Sequence, residues 1–169
     1  MKLRLIDPER LIPDAHTAAE AAKRGVEVLI IDHLRKKNDG TQPNRYGLPK
    51  TNYYAEAAKN VEASVDGATV RVEIDHPGIS MHYDGGTVYP KKKALALPID
   101  PAVAGIWPSE YSQDHKLFKT PGGALGDAET GKILYILLPK ATIPEDKTVL
   151  PTDAEIFGAV EEALMEAVS

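Results

Sequence analysis

Two segments with a helical spacing of apolar residues enclose a β-rich middle, and this order constrains the fold more than any other feature. The first segment covers residues 14–37, begins at the good N-cap residue Asp14, and is rich in Ala, Glu, Lys and Leu. The last covers residues 152–168, where Thr152 or Asp153 can cap the first turn. The apolar stripes consist of Ala18, Ala22, Val26 and Leu29 or Ile30 in the first segment, and Ile156, Val160, Leu164 and Val168 in the last.

Strand-like runs alternate with turn residues in the middle of the chain. Residues 61–99 predict β-hairpins, and the clearest signal is Asp66-Gly67, a dipeptide that favours a two-residue turn. Residues 132–143 hold a continuous apolar run that is predicted to be the central strand, with its last three residues extending it or pairing with it. Residues 100–130 contain several glycines and prolines with scattered apolar residues and are predicted to be one long loop, of a length that is usually functional or disordered.

These segments together predict an α+β fold. It consists of a long N-terminal helix, a short second helix over residues 51–60, a mostly antiparallel sheet with an extended central loop, and a C-terminal helix. At 169 residues the chain, 1–169, is expected to form a single domain with a real core. It contains no cysteine, which removes disulfides, thiolate metal ligands and cysteine nucleophiles.

The charge and hydropathy of the chain limit its partners. The formal net charge is −5, which argues against nucleic-acid binding driven by overall charge, so no specific nucleic acid is expected. No run reaches the roughly 18 apolar residues of a membrane span, and no membrane partner is expected. Charged residues within 1–7 lie where a signal peptide needs its apolar stretch, which predicts a protein that is cytoplasmic when made.

Two histidines and two aspartates within ten residues are the strongest candidates for metal chemistry. Asp75, His76, His82 and Asp84 offer oxygen and imidazole ligands of the kinds that suit zinc, manganese or iron. The residues after His76 resemble a turn, however, and no metal motif of fixed spacing accompanies them. His115 has no acidic neighbours arranged as a relay. We therefore predict no metal, no cofactor and no catalytic residues, and keep a small metal-dependent hydrolase using His76, His82 and neighbouring carboxylates as the alternative function. A monomeric regulatory or nucleic-acid-binding module that uses the lysines at 91–93 ranks third.

The stretch of residues 81–98 has the features of an assembly module. Gly85 and Gly86 allow a tight reversal between two strand-like runs, because glycine adopts positive φ at little steric cost. Pro90 removes a backbone donor where an edge strand or bulge is expected. The lysines at 91–93 would keep the exposed edge from pairing with a wrong strand, and contact with phosphate is the less favoured interpretation.

This stretch resembles the signature of the tailed-phage virion-morphogenesis proteins, the Mu-like head–tail joining and tail-completion family. The likeness rests on His82, the Gly-Gly turn, the Pro90-Lys91 pair and the short apolar strand 94–97 with the proline that follows it. The surrounding order is also similar over residues 15–168, from a long N-terminal helix through a β region to a final helix.

The resemblance implies a non-enzymatic structural protein that acts at the head–tail junction or the tail end of a phage or prophage virion. Its expected partners are other copies of itself, in a ring where the contacts close, and other phage tail or neck proteins. Its expected location is the host cytoplasm during assembly and then the virion. The loop 100–130 is expected to reach a neighbour. The candidate interface residues are His82, Gly85, Gly86, Pro90, Lys91, Lys92, Lys93, Trp107 and Tyr111.

Overall fold

The fold class predicted from the sequence is confirmed. A computed structural model of the chain describes residues 14–42 and 46–169. It shows an α+β protein in which, along the chain, the strands of antiparallel sheets follow a long N-terminal helix and precede a C-terminal helix. Residues 1–13 and 43–45 lie outside the described part, and with them the segment that was considered for a signal peptide. None of the helices in the described ranges has the length and apolar character needed to cross a membrane.

The elements group into two compact units. In chain order they are α1 (Ala15–Gly40), α2 (Tyr53–Ala58), β1 (Val61–Asp66), β2 (Thr69–Ile74), α3 (Ile79–Asp84), β3 (Gly86–Val88), β4 (Leu95–Pro98), α4 (Pro108–Tyr111), β5 (Leu117–Lys119), β6 (Ala124–Asp127), β7 (Ile133–Leu138), β8 (Ala141–Ile143) and α5 (Asp153–Val168). The first unit contains the described residues up to Gly40, with Asn52–Ile79 and Lys147–Ser169. The second contains the described residues of 41–51, with Ser80–Asp146. The single-domain prediction stays a prediction.

Helix α1 begins where the sequence predicts and ends later. Asp14 is its N-cap, since the Oδ1 atom accepts hydrogen bonds from the backbone N–H groups of His16 and Thr17 at 3.0 and 2.9 Å. The helix was expected to end near residue 37 but runs to Gly40. Asn38 explains the extension, because it is buried and its Oδ1 accepts a hydrogen bond from the Ala55 backbone in α2. A tertiary contact of this kind leaves no local signal in the sequence.

Helix α5 starts with a capping box and packs closely on α1. The Thr152 hydroxyl accepts a hydrogen bond from the Glu155 N–H, and the Glu155 carboxylate accepts one from the Thr152 N–H at 2.8 Å. The bond from the Thr152 N–H, and a second one that the Thr152 hydroxyl donates to the same carboxylate at 2.8 Å, hold the pKa of Glu155 below its ordinary value. At the crossing with α1, a Cβ on Gly25 would lie 2.7 Å from the Ala159 carbonyl oxygen and 2.9 Å from the Ala163 Cβ. The two helices can therefore approach this closely only because residue 25 has no side chain.

The predicted hairpin at Asp66-Gly67 is confirmed. Strands β1 and β2 pair antiparallel, with Asp66 opposite Thr69, so the turn consists of Gly67 and Ala68. Gly67 has a φ of 61°, as a type II′ turn requires of its first central residue. The hairpin packs against α1 in the first unit, and Val61 is its buried residue.

The second unit contains a four-stranded antiparallel sheet and a separate strand pair. The sheet has the order β4-β7-β6-β5, which makes the predicted apolar run a central strand and β4 an edge strand among the described residues. Residues 141–143 neither extend β7 nor pair with it, and instead form β8, which pairs with β3. The chain bends at Pro139 directly after β7, and this bend carries the next strand to a different partner.

Residues 79–84 form helix α3, so the hairpin predicted around the two glycines within residues 61–99 is wrong. Gly85 has a φ of 72° and ends this helix in the left-handed conformation that is common directly after a helix. The positive φ that glycine adopts easily is suited both to a hairpin turn and to a helix end. The sequence pattern alone could not distinguish the two.

Residues 100–130, predicted to be one long loop, instead contain short elements, of which two are strands of the sheet and the others pack on it. They comprise a 3₁₀ turn at Pro101–Val103, helix α4, and strands β5 and β6. Val103 and Tyr135 are completely buried and form the centre of a small core with Leu134. This segment is therefore a folded part of the second unit, and it sets the shape of one sheet face.

We expect Gly25→Ala to destabilise the first unit, because the added methyl group meets the Ala159 carbonyl and forces α1 and α5 apart. The expected loss is about 1–3 kcal/mol of unfolding free energy, as for other overpacked interiors. Gly158→Ala in α5 is the matched control, since a Cβ there meets nothing within 4 Å. That variant should be more stable than the wild type by about 0.5–1 kcal/mol, the helix preference of Ala over Gly. Urea unfolding measures both, and equal stability of the two variants would contradict the close crossing.

Candidate assembly surface

Gly85 is the most constrained of the residues predicted to form an interface. It combines a φ of 72° with close backbone neighbours, since a Cβ there would lie 2.7 Å from the Glu145 amide nitrogen. Gly86 lies in β3 opposite Ile143, and the three atoms nearest to a Cβ there would all belong to the flexible Met81 side chain, the first at 3.3 Å. Gly85 therefore carries the structural requirement that the sequence assigned to the pair.

His82 lies in the last turn of α3 and is half-buried. Its backbone carbonyl accepts a hydrogen bond from the Asp146 N–H at 3.1 Å, which ties the helix to the segment after β8. The residue thus has a place in the internal structure of the second unit.

Pro90 and the three lysines lie between β3 and the edge strand β4. The lysines at 91–93 are exposed in an irregular segment immediately before β4, and Pro90 is half-buried. Strand β4 pairs with β7 alone, so its other edge has no strand partner among the described residues. The position of these lysines directly before the edge strand β4, and their positive charge, are what the predicted protection of that edge requires.

Trp107 and Tyr111 lie at opposite ends of α4 and differ in exposure. The Trp107 side chain is 70% exposed, whereas Tyr111 packs against the core around Val103. The Tyr111 hydroxyl donates a hydrogen bond to Asp127 Oδ2 at 3.1 Å, and its ring stacks on His115 with centroids 4.4 Å apart. Burial, and then the bond to Asp127, raise the pKa of Tyr111. Trp107 is therefore available to a partner, while Tyr111 holds the fold.

Asp127 is an important residue that the sequence prediction did not include. It is 2% exposed, and its Oδ1 accepts hydrogen bonds from the backbone N–H groups of Glu129 and Thr130 and from the Thr130 hydroxyl. The bonds from Thr130, above all the backbone bond, hold the pKa of Asp127 below its ordinary value. The Asp-x-x-Thr-Gly spacing before an apolar strand is a turn signal that could have identified it.

His115 has an acidic neighbour that the sequence did not indicate. Its Nδ1 lies 3.9 Å from Asp127 Oδ2, although His115 precedes β5 in the chain and Asp127 is the last residue of β6. Both carboxylate oxygens of Asp127 already accept hydrogen bonds from other groups. The arrangement therefore stabilises the turn and the ring stack, and it does not form a relay.

Two further bonds fix the segment after β4. The Tyr135 hydroxyl donates to the Ile106 carbonyl at 3.0 Å, and Lys132 forms an ion pair with Asp100 at 2.8 Å. Asp100 also caps the following 3₁₀ turn by accepting from the Ala102 N–H. The hydrogen bond from Lys132 is the main reason that the pKa of Asp100 is lowered. The path from residue 100 to 111 is thus fixed by several independent contacts.

This path leaves a groove on one face of the four-stranded sheet. Ala96 and Leu137 are cross-strand neighbours, and Leu125 is opposite Tyr135, two residues before Leu137, so all four share a face. Val103 and its neighbours cover the part of this face at Tyr135. The uncovered part is a groove of about 760 Å³ with Ala96, Leu125 and Leu137 in its floor and Lys92, Lys93 and Lys119 in its rim.

The structure thus brings together only some of the predicted interface residues. Lys92 and Lys93 line the groove, and Pro108, the neighbour of Trp107, borders it. The glycines and His82 do not line it, and their contacts belong to the ends of α3 and β8. Lys119 lines the groove although the sequence prediction did not include it. Its place depends on the pairing of β5 with β6, which no short-range pattern specifies.

The Nδ1 atom of His76, the other histidine of the metal hypothesis, is buried and has no hydrogen-bond partner among the described residues. The His76 ring packs edge-to-face on Tyr53, with centroids 4.5 Å apart, and the Tyr53 hydroxyl donates to the Pro77 carbonyl. Within residues 14–42 and 46–169, no three His, Asp or Glu side chains lie together in an arrangement that could hold a metal ion.

Comparison with known proteins gives no match: no family model, no curated protein and no solved structure is significantly similar to this chain. The resemblance to the virion-morphogenesis family stays a prediction.

We expect Gly85→Ala to destabilise the second unit more than Gly105→Ala does. Both residues have positive φ, 72° and 77°, which costs a residue with a Cβ about 1–2 kcal/mol. Only at Gly85 does the Cβ also meet backbone atoms, whereas nothing lies within 4 Å of it at Gly105. The additional crowding should cost about 1–3 kcal/mol. Urea unfolding of the two variants measures the difference, and equal losses would show that the Glu145 contact has no energetic role.

We expect Asp127→Asn to lower the thermal unfolding midpoint at pH 7, and the difference from the wild type to shrink as the pH falls to about 3. The folded-state pKa of Asp127 is below its ordinary value of 3.8, so the ionised group stabilises the fold above that pH. This contribution is lost as the pH falls through the folded-state pKa. Asp114→Asn, at an exposed position, is the control and should match the wild type throughout. A pH-independent difference for Asp127→Asn would contradict this role of the charge.

Proposed function

We propose that the chain is a non-enzymatic structural protein of tailed-phage or prophage virion assembly, acting at the head–tail junction or the tail end. The observation that carries the proposal is a set of large apolar side chains that face solvent. Their exposed fractions are 70% for Trp107, 70% for Phe157, 68% for Met165 and 67% for Tyr89. Leaving apolar side chains of this size in water costs free energy, and Phe157 and Met165 lie two helical turns apart on one side of α5, where a partner could cover both.

The position of these residues supports association rather than a defect in packing. Trp107 is the N-cap residue of α4, in a segment whose neighbours are held by the buried Val103 and by the Tyr135 hydrogen bond. Phe157 and Met165 lie in a helix with a complete capping box. The exposed residues are therefore presented on fixed backbone, as binding anchors usually are.

The resemblance adds the biological context. The residues that carry it, from His82 to Pro98, connect α3, the β3–β8 pair and the edge strand β4. In the proposed role these residues act by shape: Gly85 fixes the path of the chain, and the lysines before β4 protect or dock the sheet edge. Copies of the chain would form a closed ring, since a station at the end of a tail tube requires point-group closure.

Light scattering behind size exclusion, over a wide range of protein concentration, tests the proposal. The expected result is association of the wild-type chain, with closed rings in negative-stain images of the largest species. A chain that stays monomeric at every concentration would contradict the proposed self-assembly. Open filaments or irregular aggregates would contradict ring closure while leaving association in place.

A further inference from the structure

We infer that helix α5 of one copy docks into the lysine-rimmed groove of the second unit of another copy. The inference rests on the proposed assembly function and names the two surfaces that would make the contact between copies. The occupant of the groove is a second copy of this chain, because the groove and α5 are complementary in charge and in apolar surface.

The groove is apolar at its floor and positively charged at its rim. Ala96, Leu125 and Leu137 supply the floor, and every charged residue in its lining is a lysine: Lys92, Lys93 and Lys119. None of the three forms an ion pair with the residues that the structure describes. The groove therefore favours an apolar segment that carries negative charge and no positive charge.

Helix α5 has this combination. It carries five acidic residues and no basic residue: Asp153, Glu155, Glu161, Glu162 and Glu166. Glu161 lies on the side proposed to dock, whereas Glu162 and Glu166 line the groove along α1 and the Glu155 carboxylate belongs to the capping box. Phe157, Glu161 and Met165 follow one another at i, i+4 and i+8, so they share one side of the helix, and Val168 lies close to the same side. This side is exposed, whereas Ala159 and Ala163 face Gly25 of α1. An amphipathic helix that lays its apolar side into a groove is a common mode of recognition.

A second groove, in the described part of the first unit, does not select a partner in this way. It lies along α1 and α5 in the first unit, and its lining mixes both signs of charge, with Arg24 and Lys36 beside Glu162 and Glu166. Val28, 58% exposed, is its most exposed large apolar residue. A lining with both signs of charge gives no preference for an acidic or a basic partner. This groove is therefore the control surface in the experiment below.

The proposed contact joins two different surfaces, and it is heterologous unless two copies exchange it reciprocally as a closed dimer. Each copy offers one helix and one groove, so every copy can contact two neighbours. Contacts of this type produce a ring if the rotation between neighbours closes and an open filament if it does not. Docking of α5 into the groove is therefore a contact from which the proposed ring could form.

The test compares variants of the full-length protein by sedimentation velocity over a range of concentrations. Lys92→Glu/Lys93→Glu in the groove and Phe157→Asp on α5 should each weaken association by roughly 30-fold or more, as loss of an interface anchor does. Lys116→Glu/Lys140→Glu is the matched charge control, because both lysines are exposed and outside the groove lining. Val28→Asp is the matched apolar control. Both controls should associate like the wild type, and circular dichroism checks that all variants are folded.

Mixing the two interface variants gives a second readout. The intact groove of Phe157→Asp can accept the intact helix of Lys92→Glu/Lys93→Glu, so the mixture should form a one-to-one dimer and nothing larger. A mixture that stays monomeric would overturn the inference, because one productive contact is available only if the helix and the groove meet.

The remaining outcomes separate the inference from the proposed function. If the wild type associates and both interface variants associate equally well, the docking inference is wrong and self-assembly stands. If Val28→Asp is the variant that fails, the α1–α5 groove is the contact instead, and the inference is overturned. If the variants fail as expected but wild-type images show no closed object, the docking is supported and the ring function is not. A wild type that is monomeric throughout overturns both.

Discussion

The buried carboxylate of Asp127 connects the two parts of the second unit that create its groove. Through Thr130 it closes the turn between β6 and β7, and through the Tyr111 hydroxyl it holds the segment that crosses the sheet. A carboxylate this deeply buried is tolerated only when hydrogen bonds compensate the lost hydration, and here they do. Because the crossing segment stays over Tyr135, one part of the sheet face is covered and the other is open. The open part is the groove.

A second constraint is the missing side chain at Gly25, because it determines which side of α5 packs on α1 and which side stays exposed to solvent. The close crossing uses the alanines of α5, so the side with Phe157 and Met165 remains exposed. The chain thus has an acidic helix with an apolar side and a groove with a basic rim. In the proposed assembly these surfaces cover each other between copies, which removes apolar area from water and pairs opposite charges at its edge.

Local signals in the sequence predicted local structure well. The Asp66-Gly67 hairpin and the Asp14 cap depend on residues a few positions apart, and both are confirmed. Gly85 was misread, because a glycine pair suits a hairpin turn and a helix end alike. Asn38 was missed as part of α1, because its partner Ala55 lies in α2, far along the chain. The groove required the pairing of β5 with β6 and β4 with β7, so Lys92 and Lys93 could be predicted as exposed but not as part of a shared rim.

Cross-linking between introduced cysteines tests the central claim most directly, because the natural chain has none. One protein carries Glu161→Cys on the exposed side of α5, and the other carries Lys93→Cys at the groove rim. With a short bifunctional maleimide, the account predicts a cross-linked heterodimer from this mixture and only background from Glu161→Cys mixed with Lys140→Cys, which lies outside the groove lining. Equal background in both mixtures would contradict docking of α5 in the groove.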